Sequence, residues 1–129
     1  MPAPVIRSID HFVLTVASIE ATCDFYARVL GFEVESFGAG RTALTFGEQK
    51  INLHEVGREF SPRARVATAG SGDFCLLTET PLDAVVAHLR AAGVAIEGGP
   101  VPKTGATGPL TSVYFRDPDG NLVEVSNRV

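Results

Sequence analysis

The sequence predicts an α+β domain built from two βαβββ modules. Three observations carry that prediction. Strand-like runs rich in β-branched and aromatic residues far outnumber the two helix-like stretches. The order of elements repeats, with His11 and Asp73, Phe12 and Phe74, Gly31 and Gly93, and Val34 and Ile96 each 62 residues apart. A stretch rich in Arg, Pro, Ala and Gly separates the two repeats.

The first module, residues 5–56, opens with the strand Ile9–Val16. Ser18 is placed to cap a helix over Ile19–Leu30, whose Ile19, Cys23, Tyr26 and Leu30 recur at helical spacing; Gly31 ends it. Strands are expected at 32–37, 42–46 and 50–56, joined by Gly38–Gly40 and by Gly47-Glu48-Gln49. Residues 57–72 read as an exposed, mobile linker. The second module, residues 73–127, starts with the strand Asp73–Thr78. Thr80 reads as an N-cap with Pro81 as the first helical residue and Asp83 completing Thr-x-x-Asp. Leu82, Val85, Val86, Leu89 and Ala92 form one buried stripe before Gly93. Short strands follow at 94–97, 112–115 and 122–126. The closing strands align if His54 corresponds to Glu124, which leaves about eight extra residues in the second module. They fall in Gly98–Pro109, read as a substrate loop because four glycines and three prolines disfavour regular structure. The whole is one domain over 5–129.

Composition narrows the function. The chain has 129 residues, 45% hydrophobic and 20% charged, with a net charge of −4. These are globular values, and the acidic balance disfavours nucleic acid. No apolar run approaches a membrane span of about 20 residues. Cys23 and Cys75 form no CxxC pair and read as small buried hydrophobes of a reducing compartment, so a cytoplasmic location is expected.

Alternation along each strand sorts side chains into two faces. His11, Val13 and Thr15 share one face of the first strand; Asn52 and His54 share one face of the fourth; Leu122, Glu124 and Ser126 share one face of the last. The more polar face thus carries His11, His54 and Glu124, with Asp73 standing where the second repeat matches His11. Two imidazoles and a carboxylate suit a divalent metal with open positions. Spacing alone leaves an alternative open, with His11 at a strand edge and His54 at a sheet margin. His88 reads as a solvated helix-face residue. Asp117 and Asp119, within Arg116-Asp117-Pro118-Asp119-Gly120-Asn121, read as turn residues rather than ligands.

The segment from Val113 to Val125, VYFRDPDGNLVEV, resembles the closing hairpin of the vicinal oxygen chelate superfamily, the glyoxalase, bleomycin-resistance and extradiol dioxygenase group. IDHFVLTV followed by FYARVLGFEV is similar to that family's first module, and the resemblance runs from about Ile9 to Asn127. It implies paired βαβββ modules around a cavity. It implies metal ligation by His11, His54 and Glu124, with Asp73 at a fourth position that is commonly His. It implies chelation of two neighbouring oxygens of a small substrate on Ni, Zn, Mn, Co or Fe, with Glu124 as ligand and general base. Lyase or isomerase chemistry leads; an extradiol dioxygenase and a non-catalytic drug-binding protein are the alternatives. Lys103, Tyr114 and Ser112 are the expected substrate contacts. A homodimer is expected, with no nucleic-acid or membrane partner.

Overall fold

The computed structural model describes residues 2–129. In chain order the elements are β1 (His11–Val16), α1 (Ile19–Leu30), β2 (Glu33–Phe37), β3 (Arg41–Phe46), β4 (Gln49–Glu55), β5 (Asp73–Leu77), α2 (Leu82–Ala91), β6 (Gly98–Thr104), β7 (Pro109–Arg116) and β8 (Leu122–Arg128). They form two four-stranded sheets of the same design, ordered β1-β4-β3-β2 and β5-β8-β7-β6. In each, the first strand pairs parallel to the last and the other pairs are antiparallel.

α1 forms where sequence and caps agree. Ser18 accepts from the Ala21 amide at 3.1 Å, and Gly31 closes the helix in the left-handed region at φ 69°, where a side chain is disfavoured. Its buried face, Thr22, Tyr26 and Val29, meets Leu14, Val16, Leu44, Ile51 and Leu53 on one side of the first sheet. α2 buries Leu82 and Leu89 under the second sheet, against Val113, Phe115, Val123 and Val125. The opposite face of each sheet stays open. Phe12 and Phe74, with ring centroids 5.1 Å apart, join the sheets along β1 and β5.

Several local expectations give way. α2 begins at Leu82, with Pro81 as its cap residue and no side-chain cap from Thr80. The Asn127 side-chain oxygen takes the orphan Leu82 amide at 2.9 Å instead. Residues 94–97 are irregular and the strand starts at Gly98. Gly98–Pro109 is therefore the β6–β7 hairpin rather than a loop. Its prolines fit because β6 is the sheet edge, where a missing N–H breaks no ladder bond, and the register shift between Gly98 and Val101 absorbs the irregularity. The His88 ring is bonded through Nε2 to the Val29 carbonyl at 2.9 Å, tying the two helices together instead of facing water alone.

The acidic turn after β7 bolts the modules together. Asp117, buried, accepts from the Tyr26 hydroxyl at 2.8 Å, from the Asp119 and Asn121 amides, and from the Asn121 side chain. Asp119 accepts from the Ala17 amide at 3.1 Å, and the Asn121 side-chain oxygen accepts from the Gly72 amide at 2.7 Å. These carboxylates organise a turn, as turn chemistry predicts.

Candidate functional site on the open sheet faces

Strand register decides which side chains share a row. In the first sheet His11 lies opposite Lys50, Val13 opposite Asn52, and Thr15 opposite His54. In the second, Asp73 lies opposite Leu122, Cys75 opposite Glu124, and Leu77 opposite Ser126. The repeat is thus offset by 62 residues at the first strand and by 72 at the last. Glu124 corresponds to Asn52, and His54 corresponds to Ser126. The alignment of His54 with Glu124 slips by two residues, one full step along the same face.

His11 sits at the start of β1 with 42% of its side chain exposed. Its Nδ1 is 2.8 Å from the Asp10 carboxylate, which leaves Nε2 on the open face. A carboxylate behind one imidazole nitrogen is the usual support for a metal-binding histidine. His54 lies four residues along in register, at roughly 3.3 Å of rise per residue, so the two rings stand about 13 Å apart at the backbone. His54 is 1% exposed. Its Nε2 is 3.3 Å from Nη2 of Arg41, and the Phe60 ring stands edge-on with centroids 5.7 Å apart. A guanidinium only donates, so Nε2 accepts and the neutral ring carries its proton on Nδ1. Burial, and then the neighbouring Arg41 charge, hold the His54 pKa below its ordinary value. In this arrangement Nε2 faces the Arg41 guanidinium, and the buried Nδ1 has no partner.

Glu124 is half-buried in the middle of the second open face, opposite Cys75 on one side and Tyr114 on the other. Ser126 Oγ donates to it at 3.4 Å. Burial and the hydrogen-bonded Glu124 carboxylate push the Tyr114 phenol up, so it stays protonated. Burial likewise raises the Cys75 thiol, which argues against a thiolate nucleophile there. Ser112, also on this face, is fully buried and bonded to Ser126 Oγ at 2.6 Å, which removes it as a free substrate contact. Lys103 is exposed on β6 with Nζ 5.6 Å from the Tyr114 ring centroid.

A cavity of about 580 Å³ runs between β1, β5 and residues 63–72. His11, His54, Asp73 and Cys75 reach its wall, whereas Glu124, Tyr114, Ser112 and Lys103 lie outside it. Among the described residues, no three His, Cys, Asp or Glu side chains are grouped closely enough to hold an ion. Among the described residues, three buried side-chain polar atoms lack partners: Arg41 Nε, Asn52 Oδ1 and His54 Nδ1. Asn52 is the residue that sequence reasoning passed over. Its parity with His54 is visible in the sequence, but only the register shows that it, not His54, is the partner of Glu124 in the repeat. The residues of 57–72 are largely exposed, yet Phe60 is half-buried against His54, so the segment covers part of the first open face.

Among the described residues, no helix is long and apolar enough to cross a membrane. Comparison with known proteins places the chain among relatives of matching fold. It is 52% identical over 125 residues to a virulence protein of Salmonella typhimurium, covering 97% of this chain and 87% of that one. The crystal structure of that protein superposes with a TM-score of 0.97, covering 98% of this chain and 100% of the other. A glyoxalase domain-containing protein of Mycosarcoma maydis is 48% identical, covering 95% of this chain and 69% of that protein. Biphenyl-2,3-diol 1,2-dioxygenase 3 of Rhodococcus globerulus is 31% identical, with 89% of this chain matched to 60% of the larger enzyme. Residues 8–125 match the family profile itself, and the chain belongs to the Glyoxalase/Bleomycin resistance protein/Dioxygenase superfamily.

Proposed function

We propose that this protein is a small metal-dependent enzyme of the glyoxalase/dioxygenase type, acting on a small substrate with two neighbouring oxygens. The observation that carries the reading is the matched pair of rows. His11, braced by Asp10, stands beside the row of Asn52 in the first sheet, and Asp73 stands beside the row of Glu124 in the second. These four supply one imidazole nitrogen, two carboxylates and an amide oxygen without a partner, a donor set suited to a divalent ion. His54 leaves that set, for the reason given by its Arg41 contact. A divalent ion bound there supplies Lewis acidity toward the substrate oxygens. Glu124 takes the substrate proton, and the protonated Tyr114 phenol beside it holds the carboxylate in place.

The four donors are not gathered within one chain, so the proposal includes a homodimer in which the open face of one module covers that of a second copy. Val13 and Leu77 support this: both are on the open faces and are 44% and 52% exposed. The test is metal content of protein purified without added metal, together with sedimentation. About one ion per chain on a dimer is expected. His11→Ala and Glu124→Ala should each lose the ion while retaining the far-UV spectrum; variants that keep it stoichiometrically overturn the placement.

The apolar cavity favours a second reading, a ligand-binding protein without catalysis. Wild-type protein that holds no ion after incubation with Ni, Zn, Mn, Co and Fe salts supports that reading over the first. An extradiol dioxygenase would show itself by iron content and oxygen uptake with a catechol.

A further inference from the structure

We propose that the cavity takes a small carboxylate with an apolar body, and that Lys50, Arg63 and His54, with Arg41 positioning His54 from outside the cavity wall, form the seat for its carboxylate. This deepens the ligand-chamber part of the reading above and does not require the metal.

The protein is acidic overall, yet three cations gather at this one place. The Arg41 guanidinium lies between two rings, its carbon 5.1 Å from the Phe37 centroid and 4.9 Å from that of Phe60. Lys50 Nζ lies 3.9 Å from the same Phe37 centroid, which sets Arg41 and Lys50 against one ring. Arg63 lines the same cavity as Lys50 and His54. Among the described residues, the ion pairs are Arg28–Asp24, Arg58–Glu55 and Arg116–Glu97, with His11 hydrogen-bonded to Asp10, so none of the three cations is paired with a carboxylate. The Glu59 carboxylate faces His54 and Arg63 and is already held by its own amide and by that of Gly57.

The second observation is the unmet hydrogen bonding. Arg41 Nε and His54 Nδ1 are both buried donors without acceptors. A buried donor left unsatisfied is costly, and two such donors stand in one contacting pair, which favours an acceptor arriving at this place. The third observation is shape. Lys50, His54 and Arg63 reach the wall of the 580 Å³ cavity, whose other walls include Phe12, Val66 and Phe74. A cationic end and an aromatic body select an amphipathic anion over a bare inorganic one.

The test is calorimetric titration of the purified full chain with phenylacetate and 3-phenylpropionate. Their neutral amides and inorganic phosphate serve as controls, before and after treatment with EDTA. The carboxylates should bind about tenfold or more tightly than the amides, before and after EDTA, and more weakly at high salt. Lys50→Met and Arg41→Gln should each cost about tenfold, with Arg41→Lys recovering part of the loss. Lys50→Met reads the seat even if Arg41→Gln fails to fold, because Lys50 is not one of the orphaned buried groups. The proposal is overturned if amides bind as well as carboxylates, if phosphate alone binds as tightly as phenylacetate, or if no carboxylate binds. Binding that vanishes with EDTA and is untouched by Lys50→Met would place the carboxylate on the ion, which overturns this seat while leaving the metal reading standing. Failure of the metal reading shows instead as absent metal with carboxylate binding intact.

Discussion

Removing one oxygen atom, by Tyr26→Phe, measures how tightly the two modules are bolted together. Tyr26 is completely buried on α1, and its hydroxyl donates to Asp117 Oδ2 at 2.8 Å across 91 residues of chain. Burial, and then the Asp117 charge, push the phenol far above its ordinary value, so the proton stays on Tyr26 at any pH at which the protein is handled. A hydrogen bond to a charged acceptor contributes about 1.5–3 kcal/mol. Oδ2 keeps the Asn121 side-chain donor at 2.8 Å when the hydroxyl goes, so the carboxylate is not stranded and the lower half of that range applies. A loss of about 2 kcal/mol, against an unfolding entropy of about 2.1 cal/mol/K per residue, lowers Tm by roughly 7 °C in a chain of this length.

Asp117→Ala is the harsher partner experiment. It strands the Tyr26 hydroxyl, two backbone amides and the Asn121 amide at once. The expected cost exceeds about 4 kcal/mol, a large share of a total stability of roughly 5–15 kcal/mol. Urea melts followed by far-UV circular dichroism measure both, with m values compared to establish that unfolding remains two-state. The reasoning is refuted if Tyr26→Phe shifts the midpoint no more than a surface substitution does, or if Asp117→Ala costs no more than Tyr26→Phe.

Three further outcomes are expected. Gly72→Ala places a Cβ 2.8 Å from both the Asn121 side-chain oxygen and a Leu14 methyl, so it should cost about 1–3 kcal/mol in the same urea melts. His54 has a folded pKa below its unfolded value of about 6.5, so the unfolded chain takes up a proton that the folded protein refuses. Stability should fall as pH drops through about 6.5 toward the folded pKa, and His54→Gln should remove that component; identical urea midpoints against pH for both proteins would contradict the burial argument. Glu124→Gln keeps shape and an oxygen but loses basicity, so turnover of a substrate once found should drop by about 100-fold or more; wild-type turnover by the metal-loaded variant would remove the base role.

The architecture was legible because several independent signals agree. Period-2 runs, a helix capped by Ser18 and Gly31, and a repeat of 62 residues all point to two copies of one unit. β6 was missed for a definite reason. Its Gly98-Gly99-Pro100-Val101-Pro102 carries the composition of a loop, and only its position at the sheet edge makes those residues acceptable in a strand. Thr80 failed as a cap because Asn127, at the far end of the chain, reaches the helix start first. Neither edge position nor a contact across 45 residues is present in local pattern.

The site was legible in parity but not in register. Alternation correctly put His11, His54 and Glu124 on open faces, because strand parity survives any slip of two residues. Row membership does not survive it. Aligning His54 with Glu124 implies an offset of 70 where the paired strands give 72. That two-residue slip decides whether Asn52 or His54, a neutral amide or an imidazole, is the counterpart of Glu124 in the repeat. It also changes what His54 is for. On the row of Thr15, under Phe60 and against Arg41, it belongs with the cations of the first sheet rather than with His11. In the first sheet, Asn52 stands between the row of His11 and Lys50 and the row of Thr15 and His54, so the unpartnered amide oxygen and the Arg41-bonded imidazole fall on successive rows of one face.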